Sequence, residues 1–260
     1  MAFVCYRCKS WPCECADGIT LICGDCREVL PEIESGSIDF VFTDPPYGHN
    51  NNNGDLIANR EKALGKKGGC DAPRPIANDG PEANELVKWS FEEWNRLLRG
   101  GCCCCCCGGG GGPDPQFARW SLWLDESVGF KQMVVWDKGP MGMGWHYRRS
   151  YETVLVGEKR GGTCRWFDET NKIENIIRHI PKIIPSRDDH PTPKPDGLAA
   201  WFFRLHTDDG DLVLDPFCGY GGTLRVAKQL GRKAIGIEIE EKYCKIAASR
   251  LRQGVLEFTE

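Results

Sequence analysis

The sequence contains no apolar run of about 18 residues, the length that a membrane-spanning helix requires. Its first residues, MAFVCYRCKSW, also lack the apolar stretch of a secretory signal peptide. No repeat of fixed period is present, which argues against solenoids and propellers. We therefore expect a cytoplasmic protein with no membrane partner.

The sequence also lacks a large excess of charge of either sign. Its 33 Lys and Arg residues face 37 Asp and Glu residues, which gives a formal net charge of −4 at pH 7. This balance argues against a histone-like protein, although a local basic face can still hold DNA. The charge is uneven: residues 129–187 carry eleven Arg/Lys against six Asp/Glu, whereas residues 1–47 carry three against eight.

The basic stretch 129–187 is the predicted DNA-recognition region. Cations beside aromatic rings suit phosphate contacts and the support of a distorted duplex. The rings in question belong to Trp136, Trp145, His146 and Tyr147, and the candidates for phosphate contacts are Arg148 and Arg149. The alternative is a solvated basic loop, and the next candidates for the DNA face are then Arg60, Lys62, Lys66 and Lys67.

The length of 260 residues allows one α/β domain, alone or with a small appendage. We predict a Cys-rich leader over residues 1–18 and a single domain over residues 19–260. Within that domain, residues 48–80 are rich in Asn, Gly, Lys and Pro and lack periodicity, which predicts a long mobile loop.

From residue 19 onwards, apolar patterns of strand type alternate with patterns of helix type. The predicted strands are Ile19–Cys23, Ile38–Thr43, Gln132–Trp136, Thr153–Gly157, Leu212–Leu214 and Ala234–Ile237. Helices are predicted at Arg27–Ile33 and Thr223–Leu230, and around Leu198–Leu205 and Tyr243–Leu251. This alternation predicts an α/β fold with a Rossmann-like, doubly wound, mostly parallel sheet, whose ligand binds at the carboxyl ends of the strands.

Six of the 16 cysteines are consecutive, Cys102–Cys107, and glycines follow them. Unpaired Cys behaves as a small hydrophobic residue, and the run comes after a helix-like segment. Neighbouring side chains in a strand point to opposite faces, so the six thiols cannot converge on one metal ion. We predict a buried core strand.

The leader carries a second group of cysteines, Cys5-x2-Cys8-x4-Cys13-x-Cys15. Four thiolates at this spacing could close a small structural zinc site. A set of reduced thiols in a flexible leader fits the same spacing equally well. Zinc, if bound, would fasten the leader and would not take part in chemistry.

The segment Asp215–Thr223 closes an apolar strand and opens a helix through a turn rich in glycine. Glycines let the backbone approach a ligand closely, with helix N–H groups facing it. The segment lacks the Lys of a phosphate-binding loop, and its strand ends in Asp215, which suits a cationic ligand better than a pyrophosphate. Glu238 ends the next strand, where a carboxylate can accept both hydroxyls of a ribose. The pair favours a binding site over an ordinary turn with surface acids.

The segment Thr43–Gly48 ends another apolar strand with the sequence Thr-Asp-Pro-Pro-Tyr-Gly. Successive prolines fix the strand end and donate no hydrogen bonds, so a carbonyl points outward. A carboxylate, an outward carbonyl and an aromatic ring together suit a planar amine, since two acceptors take its hydrogens while the ring stacks. We favour this interpretation over a rigid turn with a capping Asp.

Five motifs make the chain resemble the DNA amino-methyltransferases, in which a D/N/S-P-P-Y/F/W motif holds the target amine and an F-x-G-x-G loop holds S-adenosylmethionine. The motifs are Leu21–Cys26, Thr43–Gly48, His190–Pro195, Asp215–Thr223 and Gly236–Glu238 with Tyr243. Their order, with the catalytic motif first, is similar to the family's β arrangement. Tyr220, Gly222 and Asp196 depart from the usual family pattern.

The resemblance implies a role for each matched residue. The methionine end of S-adenosylmethionine would lie against Asp215, Gly219 and Gly221, with Phe217 and Thr223 completing the loop. Its carboxylate would bind Thr192 and Lys194, its ribose Glu238 and its adenine amine Asp25. The catalytic motif is Asp44, Pro45, Pro46 and Tyr47. There the target amine would bind Asp44 and the carbonyl of Pro45, while Tyr47 stacks on the base.

The implied reaction is methylation of the N6 amino group of an adenine that is flipped out of double-stranded DNA. The amine attacks the sulfonium methyl in line, and no metal is required. N4 methylation of cytosine is the main alternative, and RNA is a less favoured substrate. An alternative from another functional class is a DNA-binding module that keeps the fold but has no catalytic activity. We expect a monomer or a homodimer.

Overall fold

An eight-stranded sheet forms the centre of the structure. The computed structural model describes residues 3–49, 76–107, 116–139, 150–183 and 192–252. In chain order the strands are β1 (Ile19–Cys23), β2 (Ile38–Thr43), β3 (Leu98–Cys107), β4 (Phe130–Asp137), β5 (Tyr151–Glu158), β6 (Ile176–Ile177), β7 (Leu212–Asp215) and β8 (Lys233–Glu238). Their order across the sheet is β1-β8-β7-β2-β3-β5-β4-β6.

The sheet is mostly parallel. Strands β1, β8, β7, β2 and β3 run parallel to one another, while β5 is antiparallel to both β3 and β4, and β6 is parallel to β4. The carboxyl ends of β1, β2, β7 and β8 therefore share one edge, at Cys23, Thr43, Asp215 and Glu238. We call this the carboxyl edge, and in such sheets it is where ligands bind.

Helices cover both faces of the sheet, as the doubly wound prediction requires. They are α1 (Cys26–Val29), α2 (Ala83–Leu97), α3 (Gln116–Ser127), α4 (Asp196–His206), α5 (Gly222–Gln229) and α6 (Glu241–Arg252). Helices α2 and α3 contribute to one apolar cluster, and helices α4, α5 and α6 contribute to the other. The predicted Rossmann-like fold is confirmed.

The cysteine run forms most of β3, as predicted. Cys102, Cys104 and Cys106 belong to the cluster under α4, α5 and α6, whereas Cys103 and Cys105 belong to the cluster under α2 and α3. This is the alternation of faces that a strand imposes on consecutive residues. The run is therefore core packing for both sides of the sheet.

The helix predicted at Arg27–Ile33 is shorter than expected. The structure has an α-helix over Cys26–Val29 and a 3-10 turn over Leu30–Glu32. Pro31 has no N–H to donate to the carbonyl four residues earlier, so the α-helical ladder stops before it.

The region 129–187 contributes three strands, β4, β5 and β6, to the central sheet. Trp136, which we expected beside DNA, is only 1 % exposed, and its indole N–H donates to the carbonyl of Ile180 at 2.8 Å. That expectation is wrong, because the strand pattern around Trp136 places its ring inside the core. Arg148 and Arg149 lie outside the described residues, as do Trp145, His146 and Tyr147. The same holds for residues 50–75 of the predicted mobile loop 48–80, which include Arg60, Lys62, Lys66 and Lys67.

None of the helices in the described ranges combines the length and the apolar character needed to cross a membrane.

Candidate active site

A cleft at the carboxyl edge brings together the sequence-predicted site residues from both halves of the chain. It collects residues that follow β1, β2, β7 and β8 and residues that precede α4. Of the thirteen predicted catalytic and cofactor residues, its lining includes Asp25, Asp44, Pro45, Pro46, Tyr47, Thr192, Lys194, Asp215, Phe217, Gly219, Thr223 and Glu238. The parallel topology explains how motifs that are far apart in sequence meet at one place.

Gly221 is the predicted residue that does not line the cleft. Its φ of 81° lies in the left-handed region, where it caps the start of α5. A Cβ atom here would lie 2.9 Å from the Cβ of Ala247 in α6. Gly221 therefore shapes the turn and lets two helices approach each other, which is a structural requirement of the loop.

Asp215 is buried at the end of β7, with 3 % of its surface exposed. Its Oδ1 accepts hydrogen bonds from the hydroxyl of Thr43 at 2.6 Å and from the N–H of Phe217 at 3.2 Å. Burial raises the pKa of Asp215 to about 6, against these hydrogen bonds. Thr43 ends β2, so this bond ties the Asp-Pro-Pro-Tyr segment to the glycine-rich loop.

Glu238 and Asp25 stand at the ends of the two strands on the other side of the cleft. Burial raises the pKa of Glu238 to about 7, although the N–H of Glu240 donates to its Oε1 at 2.7 Å. Asp25 caps α1 and forms a 2.5 Å ion pair with Arg27, and hydrogen bonding from Arg27 lowers the pKa of Asp25. Among these three acids, Asp25 has a lowered pKa, whereas burial brings the pKa values of Asp215 and Glu238 close to neutral pH.

Asp44 already has partners on both oxygens. The hydroxyl of Tyr47 donates to its Oδ1, and the ammonium of Lys194 donates to its Oδ2, both at 2.6 Å. Lys194 also lies 3.3 Å from Glu152 at the start of β5, and Glu152 accepts a 2.8 Å hydrogen bond from Lys138. Four charged side chains therefore form one chain of ion pairs along the cleft.

The contacts of Lys194 with Asp44 and Glu152 favour the charged forms of these three groups. Burial disfavours the ammonium of Lys194, but Asp44 and Glu152 outweigh it and raise the pKa of Lys194. Burial likewise opposes ionisation of Glu152, but Lys194 and Lys138 lower the pKa of Glu152 to about 2. Burial raises the pKa of Asp44, and Lys194 opposes that rise. Lys194 is thus the cation that supports the negative charge on both acids.

Sequence reasoning missed Glu152, Lys138 and Thr43 as members of this site. Glu152 directly precedes the predicted strand Thr153–Gly157, and nothing in the local sequence marks it as a site residue. Lys138 follows β4 and was counted only as part of the basic stretch. The contacts of Glu152 with Lys138 and Lys194 depend on the order of β4 and β5 in the sheet, which the sequence alone does not give.

The ring of Tyr47 is held from several sides. Its backbone carbonyl accepts a hydrogen bond from the side chain of Gln116, and its ring lies edge-on to Trp120 with 6.0 Å between centroids. The ammonium of Lys194 lies 5.2 Å from the ring centroid. The ring is half-buried at the cleft, so one part of its surface can accept a flat partner.

Two departures from the family pattern have structural roles. The hydroxyl of Tyr220 donates to the carbonyl of Lys194 at 3.0 Å, and its ring packs under Arg250 at 4.2 Å. Asp196 forms an ion pair with Arg225, which connects the start of α4 to α5. Tyr220 therefore anchors the segment that presents Lys194.

The four leader cysteines also converge. The sulfur atoms of Cys5, Cys8, Cys13 and Cys15 all lie within 4.8 Å of one another. A second group in the described part of the chain is formed by Cys102, Cys164 and His206, and its three possible ligand atoms also lie within 4.8 Å of one another. Neither group touches the cleft.

Solved methyltransferase structures share this fold. The cytosine-N4-specific PvuII DNA methyltransferase matches with a TM-score of 0.70 at 19 % identity, over 92 % of this chain and 88 % of that one. The complex of M1.HpyAVI with SAM matches with a TM-score of 0.63 at 22 % identity, over 90 % and 100 % of the two chains. At these identities the likeness shows a fold that the chain shares with solved methyltransferases.

The family follows from the sequence comparison. A model described as DNA methylase, of the N6/N4 methyltransferase type, matches residues 38–249. The Type II methyltransferase M.HinfI of Haemophilus influenzae is 28 % identical over 271 residues, with 90 % of this chain and 68 % of that protein covered. The DNA adenine methyltransferase YhdJ of Escherichia coli (strain K12) is 26 % identical over 267 residues, with 89 % and 82 % covered. The chain belongs to the N6/N4 DNA methylase family and is a DNA methyltransferase.

Proposed function

We propose that this chain transfers a methyl group from S-adenosylmethionine to the N6 amino group of adenine in double-stranded DNA. The observation that carries the proposal is the meeting of Asp44 and Tyr47 with Asp215 in one cleft, through the Thr43–Asp215 hydrogen bond. The name of the relative YhdJ, a DNA adenine methyltransferase, supports adenine as the target.

The donor groups of the cleft fit the cofactor. The buried carboxylate of Asp215 and the half-buried carboxylate of Glu238 lie at the ends of adjacent strands. A ligand with a cationic centre and ribose hydroxyls would satisfy both. Asp25 and Phe217 also line the cleft, and an adenine ring and its amine would lie against them. S-adenosylmethionine, when bound, supplies the electrophilic methyl group.

Asp44 and the carbonyl of Pro45 hold the target amine. Two acceptors aimed at the two N–H groups orient the nitrogen and favour its lone pair as nucleophile. Tyr47 provides the stacking surface for the flipped base; Gln116 holds its backbone carbonyl, and Trp120 packs edge-on against its ring. Positioning of this kind supplies much of the rate in a transfer that needs two reactants aligned.

In this scheme Lys194 has two successive partners, Asp44 in the free protein and the cofactor carboxylate in the complex. In the free protein its ammonium occupies Oδ2 of Asp44, an acceptor that the target amine needs. Lys194 and Thr192 would also bind the carboxylate of the cofactor, as the resemblance implies. By moving from Asp44 to that carboxylate, Lys194 would free the acceptor, so cofactor binding would precede productive binding of the base. Glu152 would retain Lys194 in both arrangements.

The DNA face would lie along the carboxyl edge. The hydrogen bond from Thr163 to the carbonyl of Gly100, at 2.8 Å, places the chain after β5 at the opposite edge. Arg160 and Lys131, which belong to the basic stretch, lie there and pair with Asp125 and Glu158. Arg148 and Arg149 stand in sequence between Asp137 and Tyr151, whose strand ends lie on the cleft side, and they remain our candidates for phosphate contacts.

The double variant Arg148→Ala/Arg149→Ala tests this DNA face. It should weaken binding to every duplex and flatten the log–log salt dependence by roughly one unit per lost contact. Removal of the same charge at the opposite edge, in Lys131→Ala/Arg160→Ala, should leave the slope unchanged. Equal slopes in both double variants would move the DNA face elsewhere.

Catalysis itself is tested by incubating the full chain with unmethylated genomic DNA and cofactor labelled in the methyl group. Label should enter DNA with the wild-type chain and should not enter with Asp44→Ala. Cofactor binding and DNA binding without any transfer in the wild type would instead support an inactive binding module.

A further inference from the structure

The leader holds a compact group of thiols that methyl transfer does not use. The sulfur atoms of Cys5 and Cys15 are 3.9 Å apart, and those of Cys8 and Cys13 are 3.8 Å apart. All four sulfur atoms lie within 4.8 Å of one another, although they come from a segment of eleven residues. Four side chains from a short loop thus point at one common centre.

Two of the sulfur–sulfur distances in this group match the edges of a tetrahedral metal site. In a tetrahedron with Zn–S bonds of about 2.3 Å, neighbouring sulfur atoms are about 3.8 Å apart. A disulfide would instead require about 2.0 Å between two of them. The observed 3.8 and 3.9 Å therefore agree with the edges of a zinc tetrahedron and exclude a bonded pair.

The surroundings of the group are those of a metal-binding loop. The N–H of Cys15 lies 3.5 Å from the sulfur of Cys13, and the hydroxyl of Ser10 lies 3.1 Å from the sulfur of Cys8. Such donors compensate negative charge on thiolate ligands. Arg7, which pairs with Asp17 at 2.8 Å, places a cation beside the loop. A site of four thiolates carries net negative charge, so these groups stabilise it.

We propose that the leader binds one structural zinc ion through Cys5, Cys8, Cys13 and Cys15. Zinc suits the site because it favours thiolate ligands in closed, four-coordinate tetrahedral geometry. With all four positions filled by protein, the ion has no open coordination site for a substrate. The site is therefore structural.

The contacts between the leader and β1 indicate how a bound zinc ion would stabilise the fold. The N–H of Tyr6 donates to the carbonyl of Leu21 at 2.6 Å, and Arg7 donates to the carbonyl of Ile19 at 3.0 Å. Both carbonyls belong to β1, which ends the sheet on that side. The leader thus covers an edge strand that would otherwise expose unpaired backbone groups.

The same leader reaches the border of the cofactor cleft. The ring of Phe3 lies against Gly24, where an added Cβ would be 3.5 Å from it, and Gly24 precedes Asp25 in the cleft wall. Zinc would hold the loop from Cys5 to Cys15 and thereby fix the segment that carries Phe3. The ion would act on the cofactor only through this packing.

The group of Cys102, Cys164 and His206 provides a matched comparison. It offers three ligands, and its Cys164 sulfur lies 3.2 Å from Nδ1 of His206, a hydrogen-bond distance. Three ligands do not close a tetrahedral site, so we assign no ion to it.

Metal analysis of the full chain, purified without chelator, tests the proposal. The wild type should contain about one zinc per chain, and Cys8→Ser/Cys13→Ser should lose it. The Cys164→Ser variant, which removes a ligand from the other group, should keep it. A wild type without stoichiometric zinc, or zinc lost from Cys164→Ser and kept in the leader variant, would overturn the assignment.

A spectrum makes the test independent of whether the leader variant folds. Wild-type protein loaded with cobalt(II) in place of zinc should show the absorption of tetrahedral tetrathiolate cobalt, including sulfur-to-metal charge transfer. The conservative variant Cys15→His should keep one metal ion and shift these bands, because one ligand changes from sulfur to nitrogen. Octahedral cobalt bands in the wild type would contradict the proposal.

Discussion

The cleft and the leader are two sites of the same sheet that assemble their reactive groups in different ways. The cleft takes Asp25, Asp44, Asp215 and Glu238 from the ends of four strands that are far apart in sequence. The leader takes four thiols from one short loop. The first site therefore depends on the topology of the whole sheet, while the second depends on local chain geometry. We expect the two to be separable by mutation.

The largest expected effect is on the rate of methyl transfer in Asp44→Ala. Loss of one hydrogen-bond partner of a reacting group costs on the order of 100-fold or more in rate. The Asp44→Asn variant keeps one acceptor oxygen and should lie between Ala and wild type. Metal analysis should show full zinc content in both variants. Calorimetry should show no loss of cofactor affinity, because Asp44 competes with the cofactor carboxylate for Lys194 in this scheme.

An exposed acid serves as the control for Asp44. Asp209 is 82 % exposed, and Asp209→Ala should methylate DNA at the wild-type rate. If Asp44→Ala kept its rate, Asp44 would not hold the target amine.

The next effect is on cofactor affinity in Glu238→Ala. Hydrogen bonds to an ionised group contribute about 1.5–3 kcal/mol, so the dissociation constant should rise roughly 10- to 100-fold. Methyl transfer at saturating cofactor should change much less. The exposed Glu28, in α1, provides the matched control, and Glu28→Ala should bind like the wild type. Unchanged affinity in Glu238→Ala would remove Glu238 from the ribose role.

The pH dependence of cofactor binding should be a property of the cleft alone. Burial places the pKa of Asp215 at about 6 and that of Glu238 at about 7 in the free protein. Because the ligand binds the ionised acids, affinity should be full above these values and should fall as the pH drops through 7 and then 6. Calorimetry in buffers of different ionisation enthalpy should detect proton release near pH 6–7.

Two variants locate this titration. Glu238→Gln should remove the part of the pH dependence near 7, while the zinc-free leader variant should keep the whole profile. If the affinity for the cofactor is the same at pH values above 7 and below 6, ionisation of Asp215 and Glu238 is not linked to cofactor binding.

The smallest effect on chemistry should come from the leader. Cys8→Ser/Cys13→Ser should keep the rate at saturating cofactor, because no leader side chain touches the target amine. Its melting temperature should fall, by roughly 4–8 °C if the lost site contributed about 2 kcal/mol. Scanning calorimetry of the variant beside Cys164→Ser would measure the difference. A large loss of rate in the leader variant would contradict the separation of the two sites.

Much of the fold could be predicted because strands and turns leave local signals. Ile19–Cys23 and Ile38–Thr43 were predicted with their observed bounds, and the cysteine run was predicted as a core strand. The strand patterns were sufficient because apolar runs bounded by turn residues have few alternative structures. The resemblance then gave the residues that meet in the cleft.

The ion pairs of the cleft could not be predicted, because they depend on strand order. Glu152 reaches Lys194 only because β5 lies between β3 and β4. The burial of Trp136 depends on the same placement of β4. Gly221 was matched by motif, but its neighbour Ala247 is brought to it by the packing of α6 on α5. Each of these facts is a tertiary contact without a local sequence signal.

The central claim is that Asp44 and its neighbours methylate N6 of adenine, and one measurement tests it most directly. DNA from methylation-deficient cells that express the chain is digested to nucleosides, which are identified by mass spectrometry, with Asp44→Ala expressed in parallel. We expect N6-methyladenine with the wild-type chain and none with the variant. N4-methylcytosine alone, or no methylated nucleoside from the folded wild-type chain, would contradict the account.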